Sequence, residues 1–379
     1  MVNLERKRFS AKSPGKLATI DGGALAFVPD PLPANFKFNT QLWPLLAEAK
    51  QQIALLEGIG RNLPNPGLLL RPLEQREALQ SSRLEGTYIT AKEFLLFDLD
   101  DDENDDRGSW KEVNNYRKAL RFGQDSDLPL CLRLIKEIHK ILMQGIGRAD
   151  VTPGEFRVQQ VAIGVNRRFI PPPTTEVMRC LSDFEKYLNL SSEPDSLIHC
   201  FICHYQFETI HPFTDGNGRV GRLLLALMFH RLCGLTKPWL YLSDILERQR
   251  DDYCNALFEV SATGDWSGWL ELCLKATVSQ ANETIRRCER LNSLRIEFTQ
   301  RASNCGGNAR VHQLVDLLFQ SPFLRVANLP EVLGVSYPTA KADCERLVGC
   351  GILKLLSSVK LMTYYSQEIF DVAYEGIGE

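Results

Sequence analysis

Apolar residues recur along most of this chain at three- and four-residue spacing, the mark of amphipathic helices. "NTQLWPLLAEAKQQIALLEGIG" carries one such stripe and ends on Gly58 and Gly60, which suit a helix stop. After a turn-rich "NLPNPG", Leu73, Ala78, Leu79 and Leu84 predict a second helix broken at Gly86. "WKEVNNYRKAL" through "LCLRLIKEIHKILMQGIG" is again helical and closes on Gly145 and Gly147. Helical patterns then resume from Val177 to about Arg290, interrupted at 211–218 and near "GLTKPW". The opening 40 residues, rich in Pro and Gly, predict an irregular surface arm.

Two stretches depart from this helical habit. In "GEFRVQQVAIGVNRRFIPPP", Val158, Val161, Ile163 and the "GVNRR" turn predict a short two-stranded hairpin ended by three prolines. From "NARVHQLVDLLFQ" onward, three helical runs precede two β-rich ones, the order of a winged helix-turn-helix. The expected fold is therefore mainly α: a helical core with a β-hairpin flap, plus a small C-terminal winged domain. The expected divisions are 1–105, 106–290 and 291–379.

At 379 residues with 44% hydrophobic content, the chain can bury a sizeable core. A net charge of -3 offers no global field for nucleic acid or an anionic membrane. No apolar run reaches the ~20 residues of a membrane span, and the first residues lack a signal-type apolar core, so the expected address is cytoplasmic. Eleven cysteines scattered through helical patterns read as reduced core thiols, including the CxxC pair Cys200 and Cys203. The acidic run "DLDDDENDD" lacks the Gly and Glu placement of a calcium loop and reads as a solvated loop.

Chemistry concentrates in "HPFTDGNGRVGR", His211 to Arg222, between two helical runs. Gly216, Asn217 and Gly218 can take positive φ, turning backbone N–H groups inward as an anion nest at a helix N-terminus. Arg219 and Arg222, three residues apart on the outgoing helix, can clamp neighbouring phosphates, so a polyphosphate fits the loop. Asp215 at the lip can hold a divalent cation, with Mg²⁺ the oxygen-seeking candidate. His211 can exchange a proton with a hydroxyl, and Phe213 is expected to face inward as an anchor.

This segment matches the HxFx(D/E)GNGRxxR signature, and the chain resembles the Fic family. The resemblance implies transfer of AMP from ATP to a Ser, Thr or Tyr hydroxyl of a protein. It implies His211 as general base, Asp215 as Mg²⁺ holder, and an ATP site of Gly216, Asn217, Gly218, Arg219, Val220, Gly221 and Arg222. The hairpin, with Val161, Ala162, Ile163 and Gly164 beside the nucleotide, resembles the family's flap, on which a target segment adds as a strand. Tyr253 stands as a candidate wall of the adenosine pocket, with Cys254 where a second tyrosine is usual.

"SSRLEG" fits the family's inhibitory pattern through Ser81, Glu85 and Gly86. Ser81 and Glu85 lie one turn apart, so the hydroxyl is expected to hold the carboxylate. The carboxylate in turn is expected to pair with Arg222 and deny it to the γ phosphate. Removal of AMP by the same glutamate, use of another nucleotide or phosphorylated donor, and a nucleotide-sensing DNA-binding regulator stay open. Gly218 argues against the phosphotransferase branch, which has lysine there. The C-terminal module, Ala309 to Glu379, has six basic against eight acidic residues, which favours target recruitment or homodimerisation over DNA binding.

Overall fold

The computed structural model describes residues 6–33, 37–61, 66–99, 108–147, 150–164, 168–190, 195–357 and 359–377. Its N-terminal segment corrects the expected irregular arm. β1 (Gly15–Thr19) and β2 (Leu25–Pro29) form an antiparallel hairpin with Gly15 opposite Pro29 and Thr19 opposite Leu25. The signal was invisible because four consecutive β2 residues are buried, which erases the alternation of a half-buried strand. Phe27 donates its N–H to the Ile170 carbonyl (2.8 Å), which ties the hairpin to the segment after the flap.

α1 (Trp43–Arg61) buries Leu46, Ala49, Ile53, Leu56 and Gly60, the predicted stripe. At Gly60 a Cβ would strike the Trp239 ring, so glycine is needed there for close packing and not only to end the helix. α2 (Gly67–Leu84) runs beneath the centre of the molecule. It buries polar residues, several of them paired: Arg76 donates to Asp244 (2.6 and 2.9 Å), and Gln80 donates to the same carboxylate (2.9 Å). Glu77 accepts from Tyr116 and Ser243. These pairings offset the cost of burying the charges of Arg76, Glu77 and Asp244.

α3 (Ala91–Asp98) opens with a Thr90–Glu93 capping box. Asp98, at the start of the acidic run, is bound by Arg117 and Arg71; residues 100–107 of that run lie outside the described residues. The core continues through α4 (Gly108–Asp125), α5 (Leu132–Leu142), α6 (Thr174–Leu188), α7 (Ser196–Ile210) and α8 (Asn217–Leu232). α7 and α8 are buried on nearly every side and form the centre of the core. Cys200 and Cys203 lie on α7 with no exposed surface, packed in that core.

α9 (Ser243–Arg248) and α10 (Arg250–Thr263) lead into α11 (Trp266–Asn304), a single 39-residue helix that runs through position 290. The C-terminal order is α12 (Ala309–Gln320), β3 (Phe323–Arg325), α13 (Leu329–Leu333), α14 (Tyr337–Gly349), β4 (Lys354–Leu355), β5 (Thr363–Tyr365) and α15 (Gln367–Tyr374). β5 lies between β3 and β4 in an antiparallel sheet. β3 and α15 had no expectation. α15 returns to the core, where Tyr374 donates to Gln75 (2.5 Å) and the Glu375 carbonyl accepts from Arg76 (2.7 Å).

The expected two-stranded flap is described only in part. Among the described residues between 158 and 170 the pairing is one antiparallel bridge, Ile163 with Phe169, whose N–H groups donate across at 2.7 and 3.1 Å. Nearby carbonyls are taken by side chains instead: Gln159 O accepts from Arg157, while Val161 O and Pro171 O accept from the Gln160 amide. Pro171 to Pro173 have no N–H to donate. Residues 165–167 of the "GVNRR" turn lie outside the described residues.

Candidate active site

α7 is capped by His211, the sole described non-glycine residue with positive φ (49°). Its Nδ1 lies 3.2 Å from the Glu208 carbonyl. With Nδ1–H donating there, Nε2 keeps its lone pair. Burial pushes the imidazole down to about 4 against the opposing pull of that carbonyl and of Glu85, so the ring is neutral at physiological pH.

Two contacts stiffen the loop from 211 to 217. The Asn217 side chain accepts from Phe213 N–H and donates to Phe213 O, both at 2.8 Å. Phe213 is fully buried, as expected, and stacks on His139 at 3.7 Å. His139 accepts the Gly154 N–H at Nδ1 (2.8 Å), and its Nε2–H donates to the Asp215 carbonyl (3.1 Å). Burial lowers His139 to about 4, so it stays neutral in this role.

Gly216 caps α8 with φ 77° and offers no side-chain cap, which leaves first-turn N–H groups open to a ligand. Asp215 accepts the Gly216 N–H at Oδ1 (2.6 Å) and remains 42% exposed. One exposed carboxylate beside an uncapped helix start suits Mg²⁺, which needs few protein ligands when phosphates and waters supply the rest. Among the described residues no cluster of three His, Cys, Asp or Glu makes a protein-only metal site.

The other predicted residues separate. A Cβ on Gly218 would strike the Glu85 carboxylate and crowd the Arg222 guanidinium, so these three share one space above the helix start. Arg219 is directed to α4, where Nη1 donates to Glu112 (2.9 Å); its Nη2 lies 3.8 Å from Asp215. Val220 is fully buried, and Gly221 lies against the Glu208 carboxyl. Tyr253 is turned inward: its hydroxyl bonds His204 (2.9 Å) beside Trp269, and Cys254 lines the neighbouring cavity in its place.

Arg222 is buried and held by the end of α2 through Nε and Nη2. Nη2 donates to Glu85 Oε1 (2.7 Å) and Ser81 O (2.8 Å), and Nε donates to Ser81 Oγ (2.9 Å). Ser81 therefore holds the arginine rather than the expected carboxylate. The reason is local: α2 ends at Leu84, so Glu85 leaves helical geometry and the one-turn relation to Ser81 lapses. Burial alone would raise the Glu85 carboxyl, but the Arg222 charge and hydrogen bond outweigh it and hold it below the usual carboxylate range.

Arg157, which no motif marked, links the flap to this loop. Its guanidinium donates to the carbonyls of His211 (2.8 Å), Pro172 (2.6 Å) and Gln159 (3.2 Å), and its backbone N–H donates to Pro212 O (2.8 Å). With no carboxylate partner in these bonds, burial lowers it to about 10. Two openings border this region. A mostly apolar cavity of about 130 Å³ lies between flap residues Ile163 and Gly164, His211 and α10. A groove of about 1020 Å³ lies between β1 and the flap, bordered by Lys16, Val158, Gln160, Val161, Ala162 and Thr214.

These features define a helical core that presents a neutral histidine and an uncapped anion cradle between two buried helices. Residues 43–125 match the model of the Fic/DOC family N-terminal region, and residues 129–229 match that of the Fic/DOC family. Across these two regions the chain belongs to the Fic/DOC family. It is similar to the protein adenylyltransferase fic-1 of Caenorhabditis elegans, with 41% identity over 128 residues, 32% of this chain and 24% of that protein. The protein adenylyltransferase Fic of Drosophila melanogaster is 37% identical over 102 residues, 26% of this chain and 20% of that protein. The matched stretch thus spans a quarter or less of these relatives. In fold, a Fic family protein from Desulfovibrio desulfuricans aligns over 88% of this chain and 97% of its own, at 20% identity and TM-score 0.57. Fic-1 of C. elegans aligns over 65% of this chain and 74% of that structure, at 23% identity and TM-score 0.51.

Proposed function

We propose that this protein is an adenylyltransferase that moves AMP from ATP onto a Ser, Thr or Tyr hydroxyl of a target protein. The observation that carries the reading is the pairing of a proton-accepting His211 Nε2 with an uncapped α8 N-terminus beside Arg222. The similarity to named adenylyltransferases accords with it.

In this mechanism the open N–H groups of α8 bind phosphate oxygens, and Gly218 lets the phosphates approach the backbone. Asp215 would hold Mg²⁺, which would neutralise phosphate charge. His211 Nε2 takes the proton of the target hydroxyl as its oxygen bonds to the α phosphorus, and the bond to the β,γ-pyrophosphate breaks. The groove between β1 and the flap suits an extended target segment, because among the described residues the flap makes a single strand bridge.

The resting protein is braked. Arg222 donates to Glu85 and Ser81 and is not free for the γ phosphate, and the Glu85 carboxylate stands over Gly218, where like charge repels that phosphate. The C-terminal helices and sheet act as a winged module that recruits a target or second copy, consistent with their excess of acidic residues. No described helix is long and apolar enough to cross a membrane.

The test is incubation of wild type, Glu85→Gly and Glu85→Gly/His211→Ala with Mg²⁺ and ATP labelled at the α phosphate, with and without cell extract as a source of targets. Label on protein is expected with Glu85→Gly and not with the double variant. Label carried equally by the double variant would remove His211 from the reaction, and equal label in wild type would remove the brake.

A further inference from the structure

The cavity beside His211 holds a carboxyl group that the reaction above leaves unused. Glu208 lies on α7, three residues before His211, and contributes to the wall of this cavity with Cys254, Leu257 and Phe258 of α10. Its Oε1 is buried and has no hydrogen-bond partner. No salt bridge engages it among the described residues, since the adjacent Arg222 is committed to Glu85 and Ser81. The carboxyl lies against the backbone of Gly221, where any Cβ would collide with it. A buried polar atom without a partner costs roughly 1–3 kcal/mol, so a structure that keeps one has kept a binding function or a strain.

We propose that Glu208 is a specificity-determining residue of the nucleotide site, whose carboxyl hydrogen-bonds a donor on the nucleoside. This rests on the nucleotide reading of the site. If the phosphates lie on the α8 cradle and the α phosphorus faces His211, the nucleoside continues past His211 into the adjoining cavity. The cavity's apolar walls suit a flat heterocycle, and Glu208 is the carboxylate among its lining residues. Burial pushes this carboxyl up to about 7, against the nearby Arg222 charge, so both protonation forms are present at neutral pH. The shared chemistry is a hydrogen-bond donor, supplied by a ribose hydroxyl or by the exocyclic amine of the base. Gly221 accordingly serves the site by leaving room for this side chain rather than by touching phosphate.

The experiment uses Glu85→Gly/His211→Ala, which frees the cradle and prevents turnover, as the parent. Calorimetric titration gives Kd for ATP, 2′-deoxy-ATP, 3′-deoxy-ATP and purine riboside triphosphate, which lacks the exocyclic amine. The parent is expected to disfavour one analogue by about tenfold or more, which identifies the donor. Adding Glu208→Ala should weaken ATP by a similar factor and erase that discrimination. Glu208→Gln, nearly isosteric, should shrink the same ratio in the same direction, and it carries the test if the alanine variant does not fold. Unchanged discrimination in both variants, or an equal loss for ATP and every analogue, would overturn the assignment. Failure of the parent to bind any of the four nucleotides would instead overturn the nucleotide reading and this inference with it.

Discussion

Replacing Arg157 by alanine should separate the flap from the catalytic loop. The side chain bridges carbonyls from three points of the chain, at Ile210 and His211, at Pro172 and at Gln159. A hydrogen bond to a charged group contributes roughly 1.5–3 kcal/mol net, but the freed carbonyls can rehydrate in part and the buried charge no longer needs desolvation. The net loss of unfolding free energy should be about 2–4 kcal/mol. Arg157→Lys should lose about half of that, because one ammonium cannot span the same fork. Urea unfolding reads the total, and amide exchange reads its location, with faster exchange expected at Ile163 and Phe169 than in α11. In the Glu85→Gly background AMP transfer should fall more than ATP affinity, since His211 loses its backbone anchor. A loss below 0.5 kcal/mol with unchanged exchange at Ile163 would refute the bridge as the element that positions the flap; this limit is the ordinary scatter of about 0.5 kcal/mol for surface substitutions.

Ser81→Ala removes the acceptor of Arg222 Nε and should cost about 1–3 kcal/mol, while raising labelling above wild type but below Glu85→Gly; labelling at wild-type level would show that Glu85 holds Arg222 unaided. Gly218→Ala in the Glu85→Gly background should weaken ATP binding by about tenfold or more, the cost of a methyl group within the cradle, and an unchanged calorimetric Kd would place the phosphates elsewhere. The Glu85 carboxyl titrates below its ordinary 4.5. A lowered carboxylate keeps its ion pair above the unfolded value and loses it only as pH falls through the folded one. The ratio of Glu85→Gly to wild-type labelling should therefore stay constant from pH 8 to 5, and rising wild-type labelling over that range would contradict the ion-pair brake.

Much of this was readable along the chain, and the reason is local. The helical stripes of α1 and α5 and the loop between α7 and α8 depend on residues within one or two turns of each other, where spacing and side-chain type nearly decide geometry. The pairing of Glu85 with Arg222 spans 137 positions and still followed from the sequence, because both ends carried a pattern.

The rest depended on contacts between distant segments that no local pattern encodes. β2 hides as an unalternating apolar run until the flap segment supplies its neighbour at Ile170. Tyr253 turns inward because His204, 49 positions away, offers its hydroxyl a buried partner. Ser81 holds Arg222 because α2 stops one residue before Glu85. Arg157 and Glu208 are ordinary residues by type and spacing; the first gains its role from the carbonyls around it and the second from having none of its own to bond. The sequence by itself determined the helical class, the loop from His211 to Gly218 and the two ends of the Glu85–Arg222 pair. Only the tertiary structure decided which groups face the cradle and which the core, since burial and partnership are properties of the packed chain.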